Sequence, residues 1–449
     1  MNTRNARQRV AMRPVLAVAI PVLVESCLRI LLGNVDQWML SDFSDTAVAA
    51  VGNANQVMNM GIMVLEMVCS ATTIILSQYI GANREKDVSK LYTLSLGMIL
   101  ILSVLLSLML VGLRYHILIW MNIPQELTDD ASLYLTIVGG TLVFQGVFMG
   151  ASAILRSHIL MREVMIGSIG MNVVNVVLNF ALINGYGPFP RLGVWGVAAS
   201  TAVSRAVGAV FLMVFMLRRL DIRLELLALI KPDLRLVGRI FRIGLPAAGD
   251  SISYTCMQMV LLSLINTFGT VAVTAKVYVG SVLPFVYIFA SSLATATQVK
   301  VGHLVGGRQP DMAMRLVQKS TKISMCVSFC LSLLLLAGYR EAFGLFTQDE
   351  LVLDMIRSIL MVDVFLELGR AVNLTMIRAL LSTGDTAYPM YCAFSSMWGV
   401  GVFLSFVLGK WLGLGGVGIW IGMAADEWCR GIAFLIRWKS GKWIEKRLL

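Results

Sequence analysis

The feature that most constrains this chain is a succession of long runs without charge. Leu94–Leu113 and Val327–Ala337 contain no Asp, Glu, Lys or Arg and are dominated by aliphatic side chains. A helix crosses the hydrocarbon of a bilayer with about 20 mostly apolar residues, and runs of this kind recur along the whole sequence. The average confirms it: 57% of the 449 residues are hydrophobic, 14% are charged, and the mean hydropathy is +0.79. A chain so composed cannot cover itself with a water-compatible surface, which excludes a soluble enzyme. A transmembrane barrel would instead alternate apolar and polar residues in segments of about 10, and these runs do not alternate. The expected fold is all-α and integral to the membrane.

Periodicity and turn signals place twelve spans, near residues 14–40, 53–78, 91–112, 132–155, 164–184 and 194–217, then 241–266, 277–299, 320–338, 356–380, 387–409 and 414–436. The net charge of +11 invites a nucleic-acid partner, but the basic residues lie between the apolar runs rather than along one stripe, so none is expected. Arg4, Arg7, Arg9 and Arg13, the group from Arg218 to Arg242, that from Lys300 to Lys322, and the tail from Arg437 all fall on one side of the twelve spans. Asp42, Asp45, Glu126, Asp129, Asp130, Glu341, Asp349 and Glu350 fall on the other. By the positive-inside rule both termini are cytoplasmic, in the plasma (inner) membrane, with the basic loops against lipid headgroups. The opening arginines imitate a signal peptide, but the stretch after them is too long and carries Glu25 and Arg29, so it reads as the first span. The seven cysteines show no metal-ligand spacing and read as small packing residues.

The sequence also repeats itself. Ile20-Pro21-Val22-Leu23-Val24-Glu25-Ser26 returns as Leu245-Pro246-Ala247-Ala248-Gly249-Asp250-Ser251, and the two prolines are 225 residues apart. At the same offset Gly81-Ala82 meets Gly306-Gly307, Lys90-Leu91 meets Arg315-Leu316, Trp195 meets Trp420, and Arg205 meets Arg430. Each repeat holds six spans, an even number, so both enter from the same side and are parallel, related by a pseudo-two-fold axis along the membrane normal. The expected division is an N-terminal lobe of 1–225 and a C-terminal lobe of 226–449, with the substrate path between them.

Several stretches carry a family likeness: Val35-Asp36-Gln37-Trp38-Met39-Leu40, Asp45-Thr46-Ala47-Val48-Ala49-Ala50-Val51-Gly52 and Gln78-Tyr79-Ile80-Gly81-Ala82 in the first half. In the second half they are Gly244-Leu245-Pro246, Phe268-Gly269-Thr270, Val301-Gly302-His303-Leu304-Val305-Gly306, Glu367-Leu368-Gly369-Arg370-Ala371 and Gly384-Asp385. In combination, over essentially the whole chain, the sequence resembles the MATE (multidrug and toxic compound extrusion) transporters of the MOP flippase superfamily. The resemblance implies that Asp36, Asn175, Asn179 and Thr201 form a cation or proton site in the N-terminal half. Some members have Asp where Asn179 stands, so one charge is missing here. The acids used by the sodium-coupled branch would fall near Tyr254 and Arg370, and neither position carries an acid.

A charged residue at mid-span costs about 2.5 to 3.5 kcal/mol on insertion scales, so each one needs a partner or a task. Glu25 and Arg29, four apart on one helix, are expected to pair with each other. Asp363, Glu367 and Arg370 share a helix face, and Asp426 and Arg430 form another couple; structural pairing and function compete for both groups. Asp36, Glu66 and Asp250 have no basic residue at helical spacing, and desolvation favours the neutral form of a carboxyl. Such a group loads and releases a proton, or exchanges it for a metal cation. Asp250 with Glu367 is an alternative acidic site in the C-terminal half. Asn172, Asn175 and Asn179 put three amides on one helix face, which should turn inward, either as part of that site or as helix-to-helix hydrogen bonding. Met residues with Phe144, Phe148, Tyr254, Tyr287, Phe289 and Trp398 are candidates for an adaptable substrate lining, or ordinary membrane-core residues.

The reading that unites these features is a secondary antiporter, coupled to H⁺ or Na⁺, that exports amphipathic, cationic organic molecules by alternating access. It would act as a monomer in lipid and use no cofactor. A flippase for lipids or lipid-linked sugars is the alternative, and Arg29, Arg205, Arg370 and Arg430 would serve its phosphates. An enzyme is disfavoured, because His116, His158 and His303 lie far apart in sequence and no nucleophile-base set is visible. No phosphate-binding Gly-Lys-Ser/Thr loop occurs, which speaks against ATP as the energy source. The topology is checked by cysteine labelling in a cysteine-free background of intact cells. Glu350→Cys should react with an impermeant maleimide from outside and Arg308→Cys only after lysis; the reverse pattern would invert the assignment.

Overall fold

In the computed structural model the described residues are 14–183, 185, 190–220, 233–446 and 448. The side chains of residues 32–34, 36, 37, 85 and 86 are outside that description. The described residues are helical almost throughout, with no strand. We number the long helices α1 (Val15–Ser41), α2 (Asp45–Gly81), α3 (Glu85–Gly112), α4 (Leu142–Ser157), α5 (Met161–Ile183) and α6 (Val194–Leu220). The second set is α7 (Leu234–Asn266), α8 (Pro284–Gly306), α9 (Pro310–Ala337), α10 (Glu350–Thr383), α11 (Ala387–Ser396, continued by wide π turns to Trp411) and α12 (Gly415–Lys439). These are the twelve expected from hydropathy, with longer ends, because a helix satisfies its own backbone groups and runs on past the hydrocarbon.

Two spans are broken. Gln125–Gly139 precedes α4 at an angle of 45°, and Thr270–Val282 precedes α8 at 43°. The second break has a local cause: Pro284 is the first residue of α8 and cannot continue the preceding helix's hydrogen-bond ladder. Among the described residues, length and apolarity qualify six helices as spans outright, and eight with the bent pairs. Three equally long helices, α7, α10 and α12, are too polar by that measure, and they are the ones that carry Asp250, Asp363, Glu367, Asp426 and Arg430.

The helices sort their side chains as a bilayer demands. On α5, Val173, Val177 and Phe180 form an exposed stripe, and on α6 Val203, Val207, Val210 and Val214 do the same. Exposed aliphatic stripes of this length suit lipid rather than water. The cysteines correct an expectation: Cys69 is buried, but Cys256, Cys326, Cys330 and Cys429 are exposed on their helices. A thiol is a small apolar group, which hydrocarbon accepts without requiring tight packing.

The structure divides into two compact units, one formed by Val24–Leu76 with Arg84–Gly244, the other by the described residues up to Leu23 with Ser77–Asn83 and Leu245–Leu449. In the first, α5 packs on α6 and α4 on α6, and Glu25 of α1 is joined to Arg156 of α4. In the second, α10 is central and packs against α12, α8 and α9. Helix α10 is capped at both ends: the Asp349 carboxylate accepts from the backbone N–H of Leu351 at 2.9 Å, and Gly384 takes a left-handed φ of 93°.

The last turn of α2 crosses the last turn of α8 in the second unit, and the crossing obeys the 225-residue repeat. Gly81 abuts the backbone of His303, while Gly306 abuts the backbone of Gln78; 81 and 306, like 78 and 303, are repeat-equivalent. Each glycine therefore meets the partner of the other, a local two-fold relation, and a Cβ at either would collide with a backbone carbonyl. At Gly52, also on α2, nothing lies within 4 Å of the same added carbon. Gly306→Ala should destabilise the purified protein by about 1 to 3 kcal/mol through overpacking, read as a lowered melting temperature in detergent. Gly52→Ala should melt no lower than wild type. Equal melting of the two variants would contradict the crossing.

Candidate functional site

The first unit holds the amide face anticipated from sequence. Asn175 and Asn179 lie one turn apart on α5, opposite the exposed stripe of Val173, Val177 and Phe180, and the Asn179 amide donates to Asn175 Oδ1 at 3.4 Å. Asn179 is fully buried, and Thr201 is buried on α6, which packs against α5. The side chain of Asp36, the acid assigned to this group, lies outside the described residues. Glu66 is exposed on α2.

Glu25 requires a correction. Its carboxylate is bound by Arg156 at 2.7 Å, across from α4, whereas Arg29 is exposed. The i,i+4 spacing made the intrahelical pair available, but burial decides: Glu25 is 7% exposed, so its partner must reach it inside the helix packing. Nothing at helical spacing on α1 signalled Arg156, which sits in the last turn of α4.

The second unit gathers most of the intramembrane charge. On α10, Arg370 donates through a terminal guanidinium nitrogen to Glu367 Oε1, one turn away, and its guanidinium lies 5.0 Å from the Tyr287 ring centre of α8. Arg370 Nε lies 3.5 Å from Glu427 Oε1 on α12. Arg430, also on α12, holds Asp426 with two nitrogens at 2.6 and 3.2 Å and touches Glu427 Oε1 at 3.2 Å. The other Glu427 oxygen accepts from the Asn373 amide at 2.7 Å. Ser396 of α11 donates to Asp426 at 2.7 Å. Asp250 of α7 is within Coulombic reach of Arg430, Asp426 and Glu427. Trp398 of α11 donates to Ser253 of α7 at 3.1 Å, tying the helices around the group.

Three carboxyl oxygens of this cluster are buried with no hydrogen-bond partner: Asp250 Oδ1, Asp363 Oδ1 and Glu367 Oε2. A buried acceptor left unmet costs on the order of 1 to 3 kcal/mol, more if charged. Arg370 links Glu367 to Glu427, which also touches Arg430, while Asp250, paired with Glu367 on sequence grounds, makes no ion pair among the described residues and feels the charges of Arg430 and Glu427. Glu427 itself escaped the sequence reading although it is the residue that links the two arginines; its signal was present, one position from Asp426 and three from Arg430. Asp385 escaped too. It is bound by Arg437 at 2.8 Å, between two segments with no helical spacing to relate them.

The chain matches the MatE family model twice, over residues 21–181 and 246–407. The two matches begin 225 residues apart, the offset of the internal repeat. It is 34% identical over 426 residues to the uncharacterized transporter YisQ of Bacillus subtilis, covering 95% of this chain and 94% of that one. The probable multidrug resistance protein NorM of Thermotoga maritima is 26% identical, covering 97% and 94%. A crystal structure of MATE in the bent conformation superposes with a TM-score of 0.89 at 18% identity, covering 98% of each chain. The doubled match, the coverage and the twelve-helix fold together place the chain in the MatE family, and it is a MATE family transporter.

Proposed function

We propose that this transporter is a multidrug or metabolite exporter that exchanges an amphipathic, cationic organic molecule for an inward-moving cation, H⁺ or Na⁺. It works in the plasma membrane as a monomer, with both termini cytoplasmic. The observation that carries the reading is the buried cluster on α7, α10 and α12. Five carboxyls, Asp250, Asp363, Glu367, Asp426 and Glu427, face three guanidinia, Arg370, Arg378 and Arg430, so the acids outnumber the fixed cations and the cluster requires positive riders to be neutral in hydrocarbon. Binding of the coupling cation and of the passenger favours opposite conformations, which is coupling by differential affinity. Movement of the two six-helix repeats then exposes the site to each side in turn. Relatives named for multidrug resistance, NorM of Thermotoga maritima and MdtK of Pectobacterium atrosepticum, support export of varied organic molecules.

In the first half, Asp36 with Asn175, Asn179 and Thr201 forms a second candidate coupling group. The flippase alternative finds less support, because Arg370 and Arg430 are already occupied by carboxylates and are not free to receive a phosphate.

The test is ethidium efflux from liposomes carrying the purified full chain, with pH and sodium gradients imposed separately. One gradient should accelerate efflux, and the combined Asp250→Asn and Glu367→Gln variant should lower the coupled rate about tenfold or more while the protein remains folded. Full activity in that variant, with loss in Asp36→Asn, moves the coupling to the Asp36 group of the first half. Phospholipid scrambling with no ethidium response would favour the flippase.

A further inference from the structure

The two acids that share Arg370 are not equivalent, and the difference identifies the coupling cation. Glu427 is held by three donors: Asn373 on one oxygen, Arg430 at 3.2 Å and Arg370 at 3.5 Å on the other. Glu367 is fully buried and has Arg370 on Oε1 and no hydrogen-bond partner on Oε2. Of the two, Glu367 is the one whose second oxygen is open to a proton. A metal ion needs several oxygens converging on one point. Here the oxygens of Glu367, Glu427 and Asp426 converge on guanidinium N–H groups instead, and a guanidinium keeps its charge at every working pH. Among the described residues no three Asp, Glu, His or Cys side chains are placed to hold a metal ion.

We propose, resting on the antiporter reading above, that Arg370 is the built-in cation of this site: it fills the place a sodium ion would need, so the cluster couples to protons alone. The proton adds to Glu367 Oε2; no other bond is made or broken and Arg370 keeps all its own protons. A neutral Glu367 holds Arg370 weakly, and the guanidinium shifts to Glu427, whose Oε1 is already in reach of its Nε. Deprotonation reverses the shift. The other ionisable groups around this exchange are Asp363 and Arg378 on the same helix, Asp426 and Arg430 on α12, Tyr254 and Asp250 on α7, and Tyr287 on α8. Asp363, one turn before Glu367 with its own open Oδ1, is the next group along the helix and the natural donor or acceptor of the proton. Tyr287 offers its ring face to the guanidinium at 5.0 Å, which helps to hold Arg370 in the cluster.

The experiment uses the full chain in liposomes loaded with ethidium. In one arm an inward pH gradient is imposed in choline buffer free of sodium; in the other an inward sodium gradient is imposed at equal pH. The pH gradient should drive efflux and the sodium gradient should not exceed the leak. Arg370→Lys, which keeps a cation there, should retain pH-driven efflux with a shifted pH profile. Arg370→Gln should lose about tenfold or more of the pH response, because Glu367 then has no cation to release. Sodium-driven efflux by the wild type overturns this inference and leaves the antiporter reading intact. Full pH-driven efflux by Arg370→Gln overturns it as well. No response to either gradient overturns both. Should Arg370→Gln fail to fold, the two wild-type arms and the pH profile of Arg370→Lys decide the matter.

Discussion

Hydrocarbon does not tolerate an uncompensated charge, and this one constraint orders the molecule. It turns Val173, Val177 and Phe180 of α5 outward and the amides of Asn175 and Asn179 away from them. It sends Arg156 across to Glu25 instead of leaving the acid to a neighbour on its own helix. It also explains why the three helices too polar to qualify as spans by themselves are found together. Helices α10 and α12 are admissible in a membrane because each supplies what the other lacks, Arg370 of one meeting Glu427 of the other.

That mutual supply is uneven, and the proposed coupling rests on the unevenness. Asp426 is satisfied by Arg430 and Ser396, and Glu427 by Asn373 and both arginines. These two acids behave as structure: removing one partner of such a buried pair leaves a charge with nowhere to go, at a cost of about 3 to 5 kcal/mol. Asp250, Asp363 and Glu367 keep an oxygen unmet. A fully satisfied network would be rigid and inert, whereas one with a few unmet acceptors accepts a positive rider. The two kinds of acid lie within one cluster, so a proton arriving at the second kind changes what the arginines do for the first.

Much of this was legible in the sequence. Hydropathy located the twelve helices, and the offset between Pro21 and Pro246 announced the repeat that reappears as the reciprocal contact of Gly81 with His303 and Gly306 with Gln78. Helical spacing found the pairs that lie on one helix, Glu367 with Arg370 and Asp426 with Arg430. It failed where partners come from different helices. Arg156 meets Glu25 over 131 positions, Arg370 meets Glu427 over 57, and Arg437 meets Asp385 over 52, separations that no periodicity encodes. The breaks before α4 and α8 were likewise smoothed into single spans, because apolarity continues through them and only the backbone changes direction.

The central claim is that proton and passenger exclude one another at the buried acids. By linkage, a passenger that prefers the deprotonated site must expel protons when it binds. The direct measurement is the pH change when ethidium binds the purified wild-type chain in weakly buffered detergent solution. The account predicts release of about one proton for each ethidium bound; saturable ethidium binding with no proton released would contradict it.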